Sequence, residues 1–126
     1  MSHLNSEQLS ELRQQIEAER SRLRQDIREE LLRTEDEQQA TLAGQVHDAG
    51  EESVADMLTE INTAVLSNSI KALREVEAAQ ERLREGRYGS CEECGEAIPF
   101  ERLHANPEAK LCLTDQERYE AAHPEF

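Results

Sequence analysis

Tryptophan is absent from this 126-residue chain, and tyrosine and phenylalanine occur twice each. With aromatics at 3% and apolar residues at 37%, the chain lacks the large side chains that fill a broad globular core. What remains is enough for a narrow apolar seam between helices. Proline is missing from the first 98 residues and glycine from the first 43. Those residues are the usual interrupters of helices, so their absence predicts long ones. Bases are scarce, 14 against 28 acids, for a net charge of −14. This balance excludes a protein that grips DNA or RNA by its phosphates, which requires clustered Lys and Arg. It also excludes an anionic membrane surface as main partner. No run approaches the roughly 20 apolar residues of a bilayer span, and residues 1–30 carry no apolar stretch of a secretory signal. The expected setting is cytoplasmic. Three cysteines, an odd number, do not form a disulfide framework there, so metal binding or thiol chemistry is expected.

What is present divides in two. Ser6, as an N-cap, is followed by Leu9, Leu12, Ile16, Leu23, Ile27 and Leu31 at steps of three, four or seven. Thr34, Gln38, Leu42 and Val46 continue that stripe more weakly. A break is expected at His47–Glu51, bracketed by Gly44 and Gly50. A second stripe follows: Val54, Leu58, Ile61, Val65, Ala72, Val76, Ala79 and Leu83, widened by Leu66, Ile70 and Leu73. It should end at Gly86 as a C-cap, which gives the second arm a length of about 50 Å at ~1.5 Å per residue. Stripes this narrow, joined by a short break, predict an all-α fold built on a long antiparallel two-helix coiled-coil hairpin. Two helices of a larger bundle, or a homodimeric coiled coil, are the alternatives; a monomer is expected. On this reading residues 1–86 hold the N-terminal segment and hairpin, with its tip at about 47–53. Residues 87–126 form a compact, loop-rich, zinc-ribbon-like module. Thr114 and Glu117 form a capping box for a short last helix through about Ala122.

The charge is unevenly placed. Residues 34–70 hold eight acids and no base, a net of −8, against −1 for residues 1–33 and −5 for residues 71–126. A solvated tip is one reading. The other is a probe for a basic surface, or for a metal ion held by a partner, since like charges gathered at a turn repel one another.

The cysteines follow the pattern C-x2-C-x17-C-x2-D, formed by Cys91, Cys94, Cys112 and Asp115. Two tight turns that each present two donors suit one tetrahedral zinc ion, and a carboxylate is an acceptable fourth ligand. A metal-free module, with Asp115 as a first-turn helix acid, is a second reading. A redox pair of Cys91 and Cys94 is a third, although the βαβ surround of such pairs is missing. His104 is an alternative fourth ligand. His3, His47 and His123 show no ligand spacing.

The run Arg87-Tyr88-Gly89-Ser90-Cys91-Glu92-Glu93-Cys94-Gly95-Glu96-Ala97-Ile98, with Arg102-Leu103, Asn106-Pro107 and Leu111-Cys112, resembles the DksA/TraR zinc-finger family. The match to the family is ungapped from Asp48 to Cys91. The resemblance implies a regulator of transcription initiation that binds bacterial RNA polymerase, catalyses no reaction and makes no specific DNA contact. Its hairpin would pass down the secondary channel, with Arg87 and Arg102 among the residues of the foot at the rim. The family's tip pattern Asp-x-x-Asp-x-Ala falls here on Asp48, Glu51 and Ser53. Glu51 keeps the charge on a side chain one methylene longer, and Ser53 puts a hydroxyl where a methyl is usual. Positions that are basic for the alarmone ppGpp fall on Glu75, Asn106 and Gln116, so a weak or absent ppGpp response is implied. Asp115 stands where the family has its fourth cysteine. Two further functions remain open on the residues alone: an adaptor docking on some other basic partner, and a thiol- or zinc-responsive sensor. An enzyme is not expected, because neither a nucleophile–base motif nor a Gly-rich phosphate loop is present.

Overall fold

A computed structural model of the chain describes residues 3–61 and 63–123. Six helices follow in order: α1 Ser6–Leu32, α2 Glu37–Asp48, α3 Val54–Met57, α4 Ala64–Glu85, α5 Phe100–Ala105 and α6 Leu113–Ala122. Among the described residues the only β feature is one isolated antiparallel bridge, Ser90 with Ala97. The all-α fold with a small ribbon-like module and a short last helix is therefore as expected. None of the described helices is long and apolar enough to cross a membrane.

The helix ends follow local chemistry. Asn5, rather than Ser6, caps α1: its Oδ1 accepts from the Gln8 amide at 2.8 Å while Gln8 Oε1 accepts from the Asn5 amide at 3.0 Å. This is a capping box, and it places the N-cap one residue before the expected Ser6. The end of α4 is as expected. Gly86 takes φ +74, Arg87 N bonds Arg82 O at 2.9 Å and Gly86 N bonds Leu83 O at 3.3 Å. That is a Schellman motif, in which the left-handed residue is least costly as glycine. The box expected at Thr114 and Glu117 is not formed. Cys112 is the N-cap of α6, with no side-chain cap hydrogen bond, and its carbonyl accepts from Gln116 N at 2.8 Å. The helix thus starts at the third cysteine, which leaves Thr114 inside the first turn.

The arms are interrupted more often than the apolar stripes predict. Besides the break after Asp48, α1 stops at Leu32 and α2 begins at Glu37, without proline or glycine between them. Asp36 explains the restart: its carboxylate accepts from the amides of Gln38 at 2.8 Å and Gln39 at 3.3 Å. Such short polar side chains compete with helix continuation. Thr63 does the same for α4, its Oγ1 accepting from Leu66 N at 3.3 Å. The second arm is accordingly α4 alone, 22 residues and about 33 Å at ~1.5 Å per residue.

Two compact units divide the chain, residues 1–16 with 79–126, and residues 17–78. The N-terminal segment shares the first of these units with the cysteine module. His3 Nε2 lies 2.6 Å from Ile98 O, His104 Nε2 lies 2.9 Å from Glu11 Oε1, and Gln15 Nε2 donates to His104 O at 3.1 Å. Gly89, at φ +91, lets Leu4 and His3 approach; a Cβ there would stand 3.2 Å from Leu4 Cδ1 and 3.3 Å from His3 Cε1. Leu4, Leu12, Ile16, Tyr88, Ile98 and Leu103 are buried in this unit.

In the unit of residues 17–78, α4 runs antiparallel to α1. Val65 and Leu66 share a groove with Asp26, Glu29, Glu30 and Arg33, while Glu77 stands 3.9 Å from Arg24. Leu23, Ile27 and Leu31 of α1 and Leu73 and Val76 of α4 are buried, as are Val46, Val54 and Leu58. The segment 47–53, expected as the free end of the hairpin, instead forms the turn between α2 and α3 and is seated on α1 and α4. Leu31 and Leu32 show how sharply the seam is drawn: neighbours in sequence, they are 0% and 50% exposed. Leu31→Ala is expected to destabilise by about 2–5 kcal/mol. Leu32→Ala should stay within about 0.5 kcal/mol, both read from urea midpoints at unchanged slope.

Candidate metal centre and acidic turn

The first two cysteines sit on a tight loop. Cys91 N donates to Glu96 O at 2.8 Å, Gly95 N to Cys91 O at 2.9 Å and Ile98 N to Gly89 O at 2.7 Å. Glu92 N donates to Lys110 O at 2.9 Å, which ties this loop to the segment entering α6. Cys112 and Asp115 come from the N-cap and first turn of α6. One donor atom from each of Cys91, Cys94, Cys112 and Asp115 lies within 4.8 Å of all the others.

The spacing suits a metal. Cys94 Sγ and Cys112 Sγ are 3.7 Å apart, and a tetrahedral ion with bonds of about 2.3 Å to sulfur needs about 3.8 Å between sulfurs. Asp115 Oδ2 is 3.1 Å from Cys91 Sγ and 3.3 Å from Cys112 Sγ. Its other oxygen, Oδ1, faces Arg118 Nη1 at 3.6 Å. The cluster is thus able to hold one ion through three sulfurs and one oxygen, and that donor set fits zinc. His104, the alternative ligand, is paired with Glu11 instead.

Hydrogen bonds from the thiols of Cys91, Cys94 and Cys112 keep the Asp115 carboxyl below its ordinary range. At Cys94 the Glu96 backbone works to lower the thiol, but the Asp115 carboxylate, burial and the neighbouring thiols outweigh it, pushing it up to about 12. At Cys91 burial works to raise the thiol, and hydrogen bonds from the backbone of Cys112, Cys94 and Glu93 outweigh it, leaving it lowered.

Two further buried polar groups stiffen this unit. Tyr88 Oη donates to Pro107 O at 2.8 Å, and burial raises its phenol to about 12. Arg82 is 3% exposed, donates to Glu108 O at 3.3 Å and lies 3.9 Å from Glu92, its basicity lowered by desolvation. Of the residues expected at the foot, Arg87 is half exposed and pairs with Glu85 at 3.2 Å and Glu92 at 3.8 Å. Arg102 turns inward, its Nε donating to Leu111 O at 3.3 Å.

The three expected tip residues do not converge on one point. Asp48 and Glu51 project into solvent, their side chains 81% and 77% exposed. Ser53 is consumed by structure: it accepts from Asp56 N at 3.0 Å and donates to Glu77 Oε1 at 2.8 Å. Glu77 also accepts from Val54 N at 2.8 Å and Ala55 N at 3.4 Å. From α1, Arg24 donates to Gly50 O and to Glu52 O, each at 2.7 Å, and Arg20 donates to Gly50 O. Gly50, at φ +59, supplies the left-handed turn residue. Sequence reading missed Arg20, Arg24 and Glu77. Their available signal was Arg20 and Arg24 four apart on one helix face, flanking the buried Leu23.

A helical protein with a cysteine–aspartate metal knuckle is the class these features define. Residues 86–121 match the family described as prokaryotic dksA/traR C4-type zinc finger. The chain is 32% identical over 119 residues to the RNA polymerase-binding transcription factor DksA of Caulobacter vibrioides, spanning 93% of this chain and 79% of that protein. It is 28% identical over 111 residues to the protein of the same name from Escherichia coli K12, spanning 88% of this chain and 70% of that one. Among solved structures, transcription factor DksA2 from Pseudomonas aeruginosa superposes with a TM-score of 0.62 at 29% identity, over 98% of this chain and 91% of that one. The chain belongs to the DksA/TraR family.

Because thiols must lose their protons to bind zinc, affinity should rise with pH through the neutral range, and binding should release protons. Competition titration with a chromophoric chelator is expected to give one zinc per chain. Asp115→Asn should weaken binding and Asp115→Cys should tighten it. Equal affinity for all three forms would remove Asp115 from the ligand set.

Proposed function

We propose that this protein binds bacterial RNA polymerase and regulates transcription initiation. On this reading the acidic turn enters the secondary channel toward the active site, the cysteine module engages the rim, and the chain itself catalyses nothing and reads no DNA sequence. The observation that carries it is the run of eight acids without a base over residues 34–70, on which the side chains of Asp48 and Glu51 are largely exposed to solvent. Such a charge field is drawn to a positively lined cleft and repelled by nucleic acid. Relatives named as RNA polymerase-binding transcription factors support the choice of partner. Exposed Leu113 and Tyr119 on α6 supply apolar contacts for the rim. Glu75 is exposed and Asn106 and Gln116 are uncharged, so this chain offers a polyphosphate no cation at those positions. We infer a weak or absent ppGpp response there.

Purified protein should bind core polymerase saturably and compete with other secondary-channel factors. Asp48→Asn with Glu51→Gln should leave that binding largely intact and abolish the effect on open-complex lifetime. Failure to bind polymerase under conditions where a DksA control binds would overturn the reading. Unchanged transcription with the double variant would reduce the two acids to solubilising groups.

A further inference from the structure

We propose that Arg20, Arg24 and Glu77 form a latch that holds the acidic segment folded onto α1 and α4, and that a basic surface releases it into longer, straighter arms. The latch concerns the chain's own conformations and stands whether or not polymerase is the basic partner.

Three observations carry this. The first is that the apolar stripe keeps helical phase through both added interruptions. Across the gap after α1 the steps of three or four from Ile27 and Leu31 to Leu42 and Val46 are kept by two polar residues, Thr34 and Gln38. Val54, Leu58, Ile61 and Val65 step by three or four across the gap before α4. Neither gap contains proline or glycine, so both are compatible with continuous helix. In the folded arrangement Val65, a member of that stripe, is 64% exposed while its neighbour Leu66 is 4% exposed. Straight arms would return Val65 to the seam.

The second is that the folded arrangement rests on a small, identifiable set of polar contacts. Two arginines of α1 grip the carbonyls of Gly50 and Glu52, and one carboxylate of α4 grips Ser53, Val54 and Ala55. These are charge-assisted bonds between mostly buried side chains, Arg20 at 13% exposure and Arg24 and Glu77 at 15%. The grip is incomplete, since Arg24 Nε is buried without a hydrogen-bond partner. An unpaired buried donor favours release.

The third is charge. Residues 34–70, which include the seated turn, bring eight acids and no Lys or Arg of their own. Arg20 and Arg24, with Arg74 at 3.0 Å from Asp56, are the internal cations that meet it. A partner surface that is more strongly basic attracts the carboxylates of Glu51 and Asp56, which Arg20 and Arg74 meet at 3.9 Å and 3.0 Å, and shifts the population by its preference for the released form.

The test reads the distance between spin labels on unnatural amino acids at residues 21 and 47, which spares the native thiols. Both positions are exposed. In a continuous first arm those residues are separated by 26 positions, about 39 Å at ~1.5 Å per residue. The wild type should show a short distance, with the long one at no more than about 10%. Arg20→Ser, Arg24→Ser and Glu77→Gln together should make the long distance the major one. Oligo-lysine added to the wild type should move the population the same way, and this arm decides should the triple variant lose helix by circular dichroism. A wild type showing only the long distance overturns the latch. So does retention of the short distance both in a folded triple variant and in oligo-lysine. A shift in the variant with none in oligo-lysine overturns release by a basic surface.

Discussion

Charge imbalance is the constraint to which the unit of residues 17–78 answers. Its acids between positions 34 and 70 have no basic residue among them, so every cation that meets them comes from outside the segment. Arg20 and Arg24 provide this from α1, and Arg74 from α4. The turn therefore sits where α1 carries two arginines on one face. Ala49, Val54 and Ala55 are buried beneath it, while Asp48 and Glu51 remain in solvent, where repulsion between them is screened most. Apolar contact and charge are divided between the two sides of one short segment.

The other unit solves a different problem. Its polypeptide is short and lacks tryptophan, the situation in which small domains turn to disulfides or metals. Three thiols and a carboxylate converge between a tight loop and the start of α6. Asp115 serves this twice. As a first-turn acid it suits the positive end of α6, and as a donor it faces the thiols. The family's usual fourth ligand is a cysteine; the carboxylate keeps the negative charge while hardening one corner of the site. Hydrogen bonds from Cys91 and Cys112 to Asp115 join the loop to the start of α6.

Much of this was legible in the residues. Long proline-free stretches, the Gly86 stop and the C-x2-C-x17-C-x2-D spacing each carry their own physical reason, and each leads to the corresponding feature. The interruptions at 33–36 and before α4 were not legible from apolar period, because that period runs through them. They depend on the side chains of Asp36 and Thr63 competing for backbone amides, a local signal that the seam pattern masks. The start of α6 shows the same limit from the other side: a good capping-box pattern at Thr114 yields to the placement of Cys112. The division of the chain was hidden for a different reason, since contacts between Glu11 or Gln15 and His104 join residues far apart in sequence and leave no periodic trace.

In the proposed mode of action binding, rather than chemistry, is the output. There the exposed carboxylates of Asp48 and Glu51 would be the working end, and the cysteine-bearing unit the anchor. Photo-crosslinking from a benzophenone amino acid at residue 48, in the complex with core polymerase, tests that directly. The account predicts crosslinks to the polymerase residues that line the secondary channel close to the active site. Crosslinks confined to the outer surface of polymerase would contradict it.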